Sequence, residues 1–573
     1  MDSNTRLVLA FFVFLSVVFL FPVFQNITYL GSYDWDQHFF YHGAARESIV
    51  KFHQFPFWNP FYCGGSPLLA NPQSVFLSPF FLFVLLFGTV IGLKLEILAY
   101  FFIGLLGMYF LCRNLGLRQV PSVFASVIFM CSSWFAARVA VGHTTFFPFA
   151  FLPWVFLLYL KSFSRLIYAF VAALLLDFAF FAGGVYPAFF ISMFLGLYAV
   201  LQSWEQKTFR PLKIVALILV LFILIGSVKL IPMLEFTHGL SFKDTQLTGA
   251  SYAFKGLLWR DQALASNDAL INSLNPQLLP QLRIEGKAAW GWHEYSFYVG
   301  LIPLLLALLA FLTFRKSWKF VIAGLVFFVM SLGDFSPLPV WHFLKEMPDI
   351  SALHGPSRIL ILVAFCVAIL AARAINDIRQ LSIKWVSMAL LAIVLIDLLF
   401  VSRPLVQDVF TAEPFEINTK DYTDYIHLVS PSRFQIQYPL MLQNADTVNC
   451  YERIHPAINV IPSFYDNGEP YPGAVGNAFY AGSNVSINLS YFSPNRVDIK
   501  PTGQGTLVFN QNYFPGWSSS KEVFPYHGLV AVNVTAQDSY VSLYYIPSIF
   551  YISLALSVVG LLLGFFVCLK WQL

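Results

Sequence analysis

The chain has 573 residues, of which 58% are hydrophobic, 18% aromatic and only 11% charged, with a formal net charge of +4. Soluble domains carry roughly 25% charged residues, so the composition excludes a protein folded in water and reads as a polytopic membrane protein. A net charge this small gives no footprint for nucleic acid, and what matters is where Lys and Arg sit along the chain.

An apolar helix is predicted over about residues 7–25, with Arg6 ahead of it and no small-residue cleavage site after it. It is therefore expected to be retained, with the N-terminus in the cytoplasm. Residues 26–94 follow as a first external loop with juxtamembrane helices. The loop opens with "GSYDWDQHFFYHGAARESI", which places Asp34, Asp36, Gln37 and His38 together in a chain otherwise short of charge. On a helix, Asp34, His38 and His42 share one face at i, i+4 and i+8. Spacing alone makes this an interfacial amphipathic helix with a wet face. A carboxylate there, facing a pocket, is also placed to act as general base toward a hydroxyl.

The next stretch, "FPFWNPFYCGGSPLLANPQS", interleaves Pro, Gly and Asn with aromatic residues. It is poor helix material and costly against lipid, so a fixed loop packed on protein is expected. The apolar run 75–92 reads as juxtamembrane, because the helix after it, at about 95–112, ends on Arg113 and Arg118 and must run inward.

Later helices are predicted at about 121–138, 146–160, 166–183, 187–203, 213–232, 296–314, 319–333, 357–372, 384–401 and 546–569. Their cytoplasmic ends carry Lys161 and Arg165; Lys207, Arg210 and Lys213; Arg315, Lys316 and Lys319; Arg373, Arg379 and Lys384; and Lys570. The total is about twelve, which puts both termini inside.

Two external insertions interrupt this series. One covers 233–295 and contains "WGWHEY"; the other covers 402–545. In the second, "RVDIKPT", "GTLVFNQ", "LVAVNVTA" and "SYVSLYYI" alternate apolar and polar residues and read as strands of a small β-sandwich. The organisation is thus a transmembrane domain over 1–401, a β-rich domain over 402–545, and a final helix with a cytoplasmic tail over 546–573. Sequons stand at Asn26, Asn484, Asn488 and Asn533. The six cysteines show no metal-cluster spacing. Only Cys63 and Cys450 fall in external segments, where a disulfide between them is allowed.

Other polar groups map to the external side: Arg138 and His143 in "AARVAVGHTTFFPF", Tyr186 in "AGGVYPAFF", Lys229, His293 with Glu294, and His354 with Arg358 in "ALHGPSR". Each alone reads as a snorkelling or interface residue. Together they would make a polar cavity under the outer surface, with basic groups for a lipid phosphate. Asp177 stands near the middle of a helix and is either a functional acid or a partnered core residue. No P-loop, GxGxxG, HExxH or GxSxG context occurs, which argues against ATP-driven transport and familiar hydrolases.

The segments "DWDQHFFYHGAARESI…FPFWNPFYCGGSPLLANPQSVFLSP", "HEYSFYVGLIPLLLALLAF", "HGPSRILILVAF" and "FNQNYFPGWSSS…HGLVAVNVTAQDSYVSLYYIPSIF" resemble, in order, the YfhO-type membrane proteins, which are related to the GT-C glycosyltransferases. The resemblance implies a GT-C-like transmembrane domain with a C-terminal extracytoplasmic β-sandwich-like domain. It also implies an extracytoplasmic active site and a sugar donor on a polyprenyl phosphate. An acid in the first loop would serve as base, and this chain offers two, Asp34 before Gln37 and Asp36 close by. Glu294 matches the acid of the family's "EYSFY" and Arg358 the basic residue of its "PxR", a phosphate ligand. His143 matches a "GH" after the third helix.

The expected reaction is inverting transfer to a glycan, lipid or protein acceptor. Asp34, Asp36 and Glu294 are the catalytic candidates. Arg358, His354, Arg138 and Lys229 are the candidates for the donor phosphate. Gln37, His38, His143, Tyr186 and His293 are the candidates for the substrate pocket. No cofactor is required, although two nearby acids would accommodate a divalent cation. The β-domain aromatics Tyr513, Phe514 and Trp517 would stack on sugars or pack a core. Two other readings are a transporter or flippase of lipid-linked saccharides and a non-catalytic scaffold of an envelope-glycan pathway. The first predicts matching internal halves, which the sequence does not display.

Overall fold

A computed structural model describes residues 3–238 and, with short gaps, 292–570; the larger gaps fall at 311–313, 347–352, 415–424, 430–436 and 449–457. Among the described residues, seven helices are long and apolar enough to cross a membrane: Thr5–Gln25, Thr89–Asn114, Gln119–Val141, Thr144–Lys161, Val185–Gln206, Pro356–Asp377 and Lys384–Val406. An eighth is a pair, Arg210–Ile225 and Ser227–Thr237, bent by 73° at Gly226. Ile167–Phe181, Ser317–Ser331 and Phe550–Phe566 are shorter apolar helices, and Leu301–Leu309 is shorter still. The protein is thus an integral membrane protein. Its helices fall where the hydropathy placed them; among the described residues seven, or eight with the bent pair, reach span length, and the expected total of about twelve is not reached by these alone.

The breaks are chemically covered. At Gly226, Ser227 Oγ donates to the carbonyls of Leu224 (2.7 Å) and Ser553 (2.9 Å), while Ser557 Oγ donates to Ile225 O (2.7 Å) and accepts from Val228 N (2.9 Å). Backbone groups freed inside a bilayer need such partners because water is absent. The run 75–92 makes no helix of span length by itself. It forms a short helix, Phe81–Phe87, and breaks at Gly88 (φ 83°) into the start of Thr89–Asn114.

The basic helix ends meet one another. Arg118 donates to the Ser382 and Asn376 carbonyls, Arg373 to Leu115 O, Arg210 to Phe163 O, and Lys319 pairs with Glu205. The first loop lies at the opposite end. Lys94, near the start of Thr89–Asn114, donates to the carbonyls of Asn26, Ile27 and Tyr29 just past the first helix. Nineteen residues of this helix separate Lys94 from Arg113, about 28 Å.

The helix Trp35–Arg46 corrects the expectation of a wet amphipathic face. Every residue from Trp35 to Ala45 is buried. Tyr438 and Met441 of a short helix, Gln437–Leu442, press on it at Gly43, where a Cβ would lie under 3 Å from both.

The β-rich region holds the four predicted strands as Arg496–Ile499, Gly505–Asn512, Leu529–Val534 and Val541–Tyr545. Gly505–Asn512 is the centre of a five-stranded sheet, antiparallel to Leu529–Val534 on one side and Ala478–Tyr480 on the other. A four-stranded sheet, which includes Arg496–Ile499 and Val541–Tyr545, faces it. Phe509 of the first sheet meets Phe492 (6.4 Å) and Trp517 (5.9 Å) of the second. A three-stranded parallel sheet of Ile426–Val429, Ala445–Thr447 and Phe464–Tyr465 was not legible in the sequence.

The Pro/Gly-rich loop packs on this region, as expected of it. Trp58 Nε1 donates to Gln511 Oε1 (2.9 Å) and its ring meets Trp517 (5.2 Å) and Tyr545 (4.6 Å). Asn512 Nδ2 donates to Cys63 O (2.6 Å), and Gly64 N donates to the buried Asp446 (2.7 Å). Trp517 is therefore core, not a sugar platform; Phe514 packs edge-on against Phe236 (5.5 Å). Cys63 is disulfide-bonded, and Cys450 lies outside the described residues.

Candidate functional site

Five segments distant in sequence converge at the end of the bundle that holds the first loop. Helix Ser133–Val141 ends in Gly142, at φ 86°, a left-handed position that suits glycine. A Cβ there would lie 2.5 Å from Trp35 N and 2.9 Å from the Asp34 carbonyl carbon. The bare backbone lets Asp34 N donate to Val141 O (3.0 Å), while the Trp35 indole donates to Val139 O (2.8 Å). These two bonds fix Asp34 beside His143, the residue after the glycine.

His143 Nε2 then stands 2.9 Å from Asp34 Oδ2. Its other nitrogen, Nδ1, lies 2.8 Å from Arg138 Nη1. A guanidinium only donates, so Nδ1 must accept, and the imidazole proton sits on Nε2, pointing at Asp34. Arg138 Nη1 also donates to Glu294 Oε2 (2.9 Å). Arg358 grips the same carboxylate with Nε, 3.1 Å from Oε1 and 3.0 Å from Oε2, and with a short Nη2 contact to Oε1. One chain of hydrogen bonds therefore runs from Arg358 through Glu294, Arg138 and His143 to Asp34.

Aromatic rings wall this chain. Phe146 lies under Arg138 (4.7 Å) and Arg358 (5.1 Å), and stacks on Tyr186 (5.3 Å). Tyr186 in turn faces Arg358 (4.8 Å). A cavity of about 10 Å³, room for one water, lies among Arg138, Phe146, Glu294 and Arg358. Exposure is graded across the cluster. The Glu294 side chain is 1% exposed and the two arginines 8%, whereas Asp34 is 19% and His293 21%. The approachable edge is thus Asp34 with His293.

Charge follows the same division. Burial works to raise the Glu294 carboxyl, but Arg138 and Arg358 hold it well below the ordinary carboxylate range. Burial, and then neighbouring His143, hold His293 down at about 3, so it is neutral. Glu294, held low by these two guanidiniums, stays ionised near neutral pH and anchors the arginines. The Arg138–Glu294–Arg358 triad keeps a net charge of +1, facing a neutral His143 and an ionisable Asp34.

A cation could draw on His143, His293 and Glu294, whose ligand atoms lie within 4.8 Å of one another. The spacing fits, but the charge does not. Both carboxylate oxygens of Glu294 are held by guanidinium groups and His143 Nδ1 is turned to Arg138, so a cation would have to displace both arginines.

The structure thus brings together Asp34, Arg138, His143, Tyr186, His293, Glu294 and Arg358. His38 lies directly behind, buried, with Nδ1 2.8 Å from Thr144 Oγ1. Three candidates stand elsewhere. The carboxylate of Asp36 accepts from Gln437 N (2.9 Å) and Tyr438 N (3.0 Å), the first amides of helix Gln437–Leu442. Gln37 Nε2 donates to Tyr41 OH (2.9 Å). Lys229 is fully buried, its ammonium donating to the carbonyls of Pro72, Ser74 and Phe180. His354 lies outside the described residues. Sequence reading missed Trp35, Gly142 and Phe146; the glycine and the ring both flag themselves in "GHTTFF".

No family model matches the chain, and no curated protein matches it. Among solved structures it is similar to arabinofuranosyltransferase AftD from Mycobacteria, with a TM-score of 0.46 and 14% identity over 74% of this chain and 31% of that one. It is also similar to the Archaeoglobus fulgidus oligosaccharyltransferase in complex with Zn and sulfate, with a TM-score of 0.45 and 13% identity over 78% of this chain and 62% of that one. The archaeal oligosaccharyltransferase AglB from Archaeoglobus fulgidus, in complex with an inhibitory peptide and a dolichol-phosphate, gives 0.46 and 13% over 78% and 64%. The chain spans about a third of the length of the first and under two thirds of the other two.

Proposed function

We propose that this chain is a membrane glycosyltransferase. It would move a sugar from a polyprenyl-phosphate-linked donor to an extracytoplasmic glycan, lipid or protein acceptor, by inverting displacement. The observation that carries the reading is the hydrogen-bond chain ending on Asp34, the more exposed of the cluster's two carboxylates. It gives one ionisable base at the open edge and a net cationic triad behind it.

In this reading Asp34 takes the proton of the acceptor hydroxyl as the acceptor oxygen attacks the anomeric carbon. The bond from that carbon to the donor phosphate oxygen breaks, and the phosphate leaves with the bonding pair. His143, donating to Asp34 Oδ2 through Nε2, orients the carboxylate. Arg138 and Arg358 favour the departing phosphate through their excess charge, and Glu294 holds both arginines in place. The site lies about one span away from the basic helix ends. With those ends in the cytoplasm, it faces outward, where a nucleotide sugar is absent and a lipid-borne donor is needed.

The test uses purified protein and a polyprenyl-phosphate sugar donor, with sugar release followed over time. Asp34→Asn is expected to lower the rate by roughly 10²–10⁴. Asp36→Asn is expected to keep the rate within a few fold while weakening the cap on Gln437–Leu442 by about 1 kcal/mol. Full activity in Asp34→Asn overturns the assignment of the base. Movement of the intact donor across vesicles, without release or transfer, overturns the enzyme reading in favour of a flippase.

A further inference from the structure

The basic end of the bundle holds a second feature. Helices Thr89–Asn114 and Leu152–Lys161 press together at Gly107, where a Cβ would lie 2.5 Å from Trp154 Cδ1. The Trp154 indole bridges the crossing by donating to Ile103 O (2.9 Å), and its ring meets Phe110 (5.7 Å). Beside this crossing the helices leave a crevice of about 470 Å³, lined by Phe110, Arg113, Asn114, Trp154, Leu157 and Lys161. That is the volume range of small-ligand sites.

The lining is ordered along the helices. Phe110, Arg113 and Asn114 fall at i, i+3 and i+4 on one helix, and Trp154, Leu157 and Lys161 at i, i+3 and i+7 on the other, so each presents one face. The apolar groups come first, and the polar groups stand at the helix ends. Lys319 at this end pairs with Glu205. Arg113, by contrast, donates to the Leu117 carbonyl and Lys161 lies 5.7 Å from the Tyr168 ring, and among the described residues neither has a carboxylate partner. Both cations complement the helix C-termini on which they stand, but one guanidinium–carbonyl bond uses only a fraction of the donors available.

We propose that this crevice is a binding site for an acidic membrane phospholipid. Its phosphate lies between Arg113 and Lys161, with the Asn114 amide as a further donor, and one acyl chain runs along Phe110, Trp154 and Leu157. Two cations that lack a carboxylate partner among the described residues, at the end of an apolar groove, match an anion that carries its own alkyl chain. A soluble phosphate would use only the rim, and a zwitterionic lipid would bring a cation to a place that already holds two. The proposal is independent of the transferase reading, since the crevice lies at the far end of the bundle.

The test is native mass spectrometry on the full chain in neutral detergent, after delipidation, with phosphatidylglycerol or phosphatidylcholine added back. The wild-type chain is expected to retain one phosphatidylglycerol with at least about a tenfold preference. The double variant Arg113→Gln, Lys161→Gln is expected to lose that preference. Equal retention of the two lipids by the wild type, or an undiminished preference in the double variant, overturns the proposal. So does displacement of the lipid by millimolar glycerol phosphate, which would reduce the site to one for free phosphate. A second readout does not depend on the folding of that variant. Brominated phosphatidylglycerol should quench the fluorescence that wild type has and Trp154→Phe lacks, more strongly than brominated phosphatidylcholine does; equal quenching overturns the proposal.

Discussion

Two regions of the molecule join the first loop to distant parts of the chain through polar groups, and they differ in what is left over. At the seam with the β-rich region, Trp58, Gly64, Asp446, Gln511 and Asn512 exchange hydrogen bonds that are mostly to backbone or to neutral amides. At the cluster around Asp34, one buried carboxylate faces two guanidiniums, and the acid at the open edge leans on a neutral imidazole. The seam has spent its polarity on holding a loop. The cluster keeps charge, and its most exposed ends are an acid and a histidine. Asp34 and Asp36 show the same contrast two residues apart: one ends a chain of charged groups, and the other caps a helix with both oxygens.

The largest effect that would sharpen this comparison is on the triad. Glu294→Gln leaves two buried guanidiniums without a carboxylate, and a loss of about 3–5 kcal/mol is expected on chemical denaturation. Replacing all three at once, Arg138→Met with Glu294→Leu and Arg358→Met, should cost far less stability and still abolish sugar release. A destabilisation by Glu294→Gln of under about 1 kcal/mol would mean that the charges are not coupled as drawn. At the seam the expectation is reversed. Trp58→Phe keeps the ring packing but leaves Gln511 Oε1 without its donor, costing about 1–3 kcal/mol, while sugar release per folded molecule stays unchanged. A drop in release that exceeds the loss of folded protein would break the distinction between the two regions.

The parts of this division that were legible in the sequence are local ones. Apolar runs of span length gave the helices, period-two alternation gave "GTLVFNQN" as a strand, and clustered Pro and Gly gave the fixed loop. Most of the polar residues expected on the external side do meet in one cluster, because few polar groups are tolerated near a membrane without partners. What failed depended on contacts remote in sequence. "DQHFFYH" looked wet because spacing cannot reveal that protein covers a helix on every side; Tyr438 and Met441, some 400 residues on, do the covering. Asp36 could not be told from Asp34 until the amides of Gln437 and Tyr438 were in place. Lys229 had the right charge for a phosphate, but the carbonyls of Pro72, Ser74 and Phe180, remote from it in sequence, hold its ammonium.

The smallest expected effect probes the wall between buried structure and site. Burial, and after it neighbouring His42, hold His38 down from 6.5 to about 3. The unfolded chain therefore takes up a proton near pH 6.5 that the folded chain refuses until near pH 3. His38 thus contributes stability that is complete above pH 6.5 and is lost as the pH falls from there toward 3. By pH 5 the loss is on the order of 1–2 kcal/mol. Thermal unfolding in detergent from pH 7.5 to 5 should show a falling midpoint in the wild type and a flatter one in His38→Gln, which has no proton to refuse. Parallel curves would place His38 in contact with water, on the open side with Asp34. A flatter curve for the variant keeps it behind Thr144, as packing beneath the site and not part of its approachable edge.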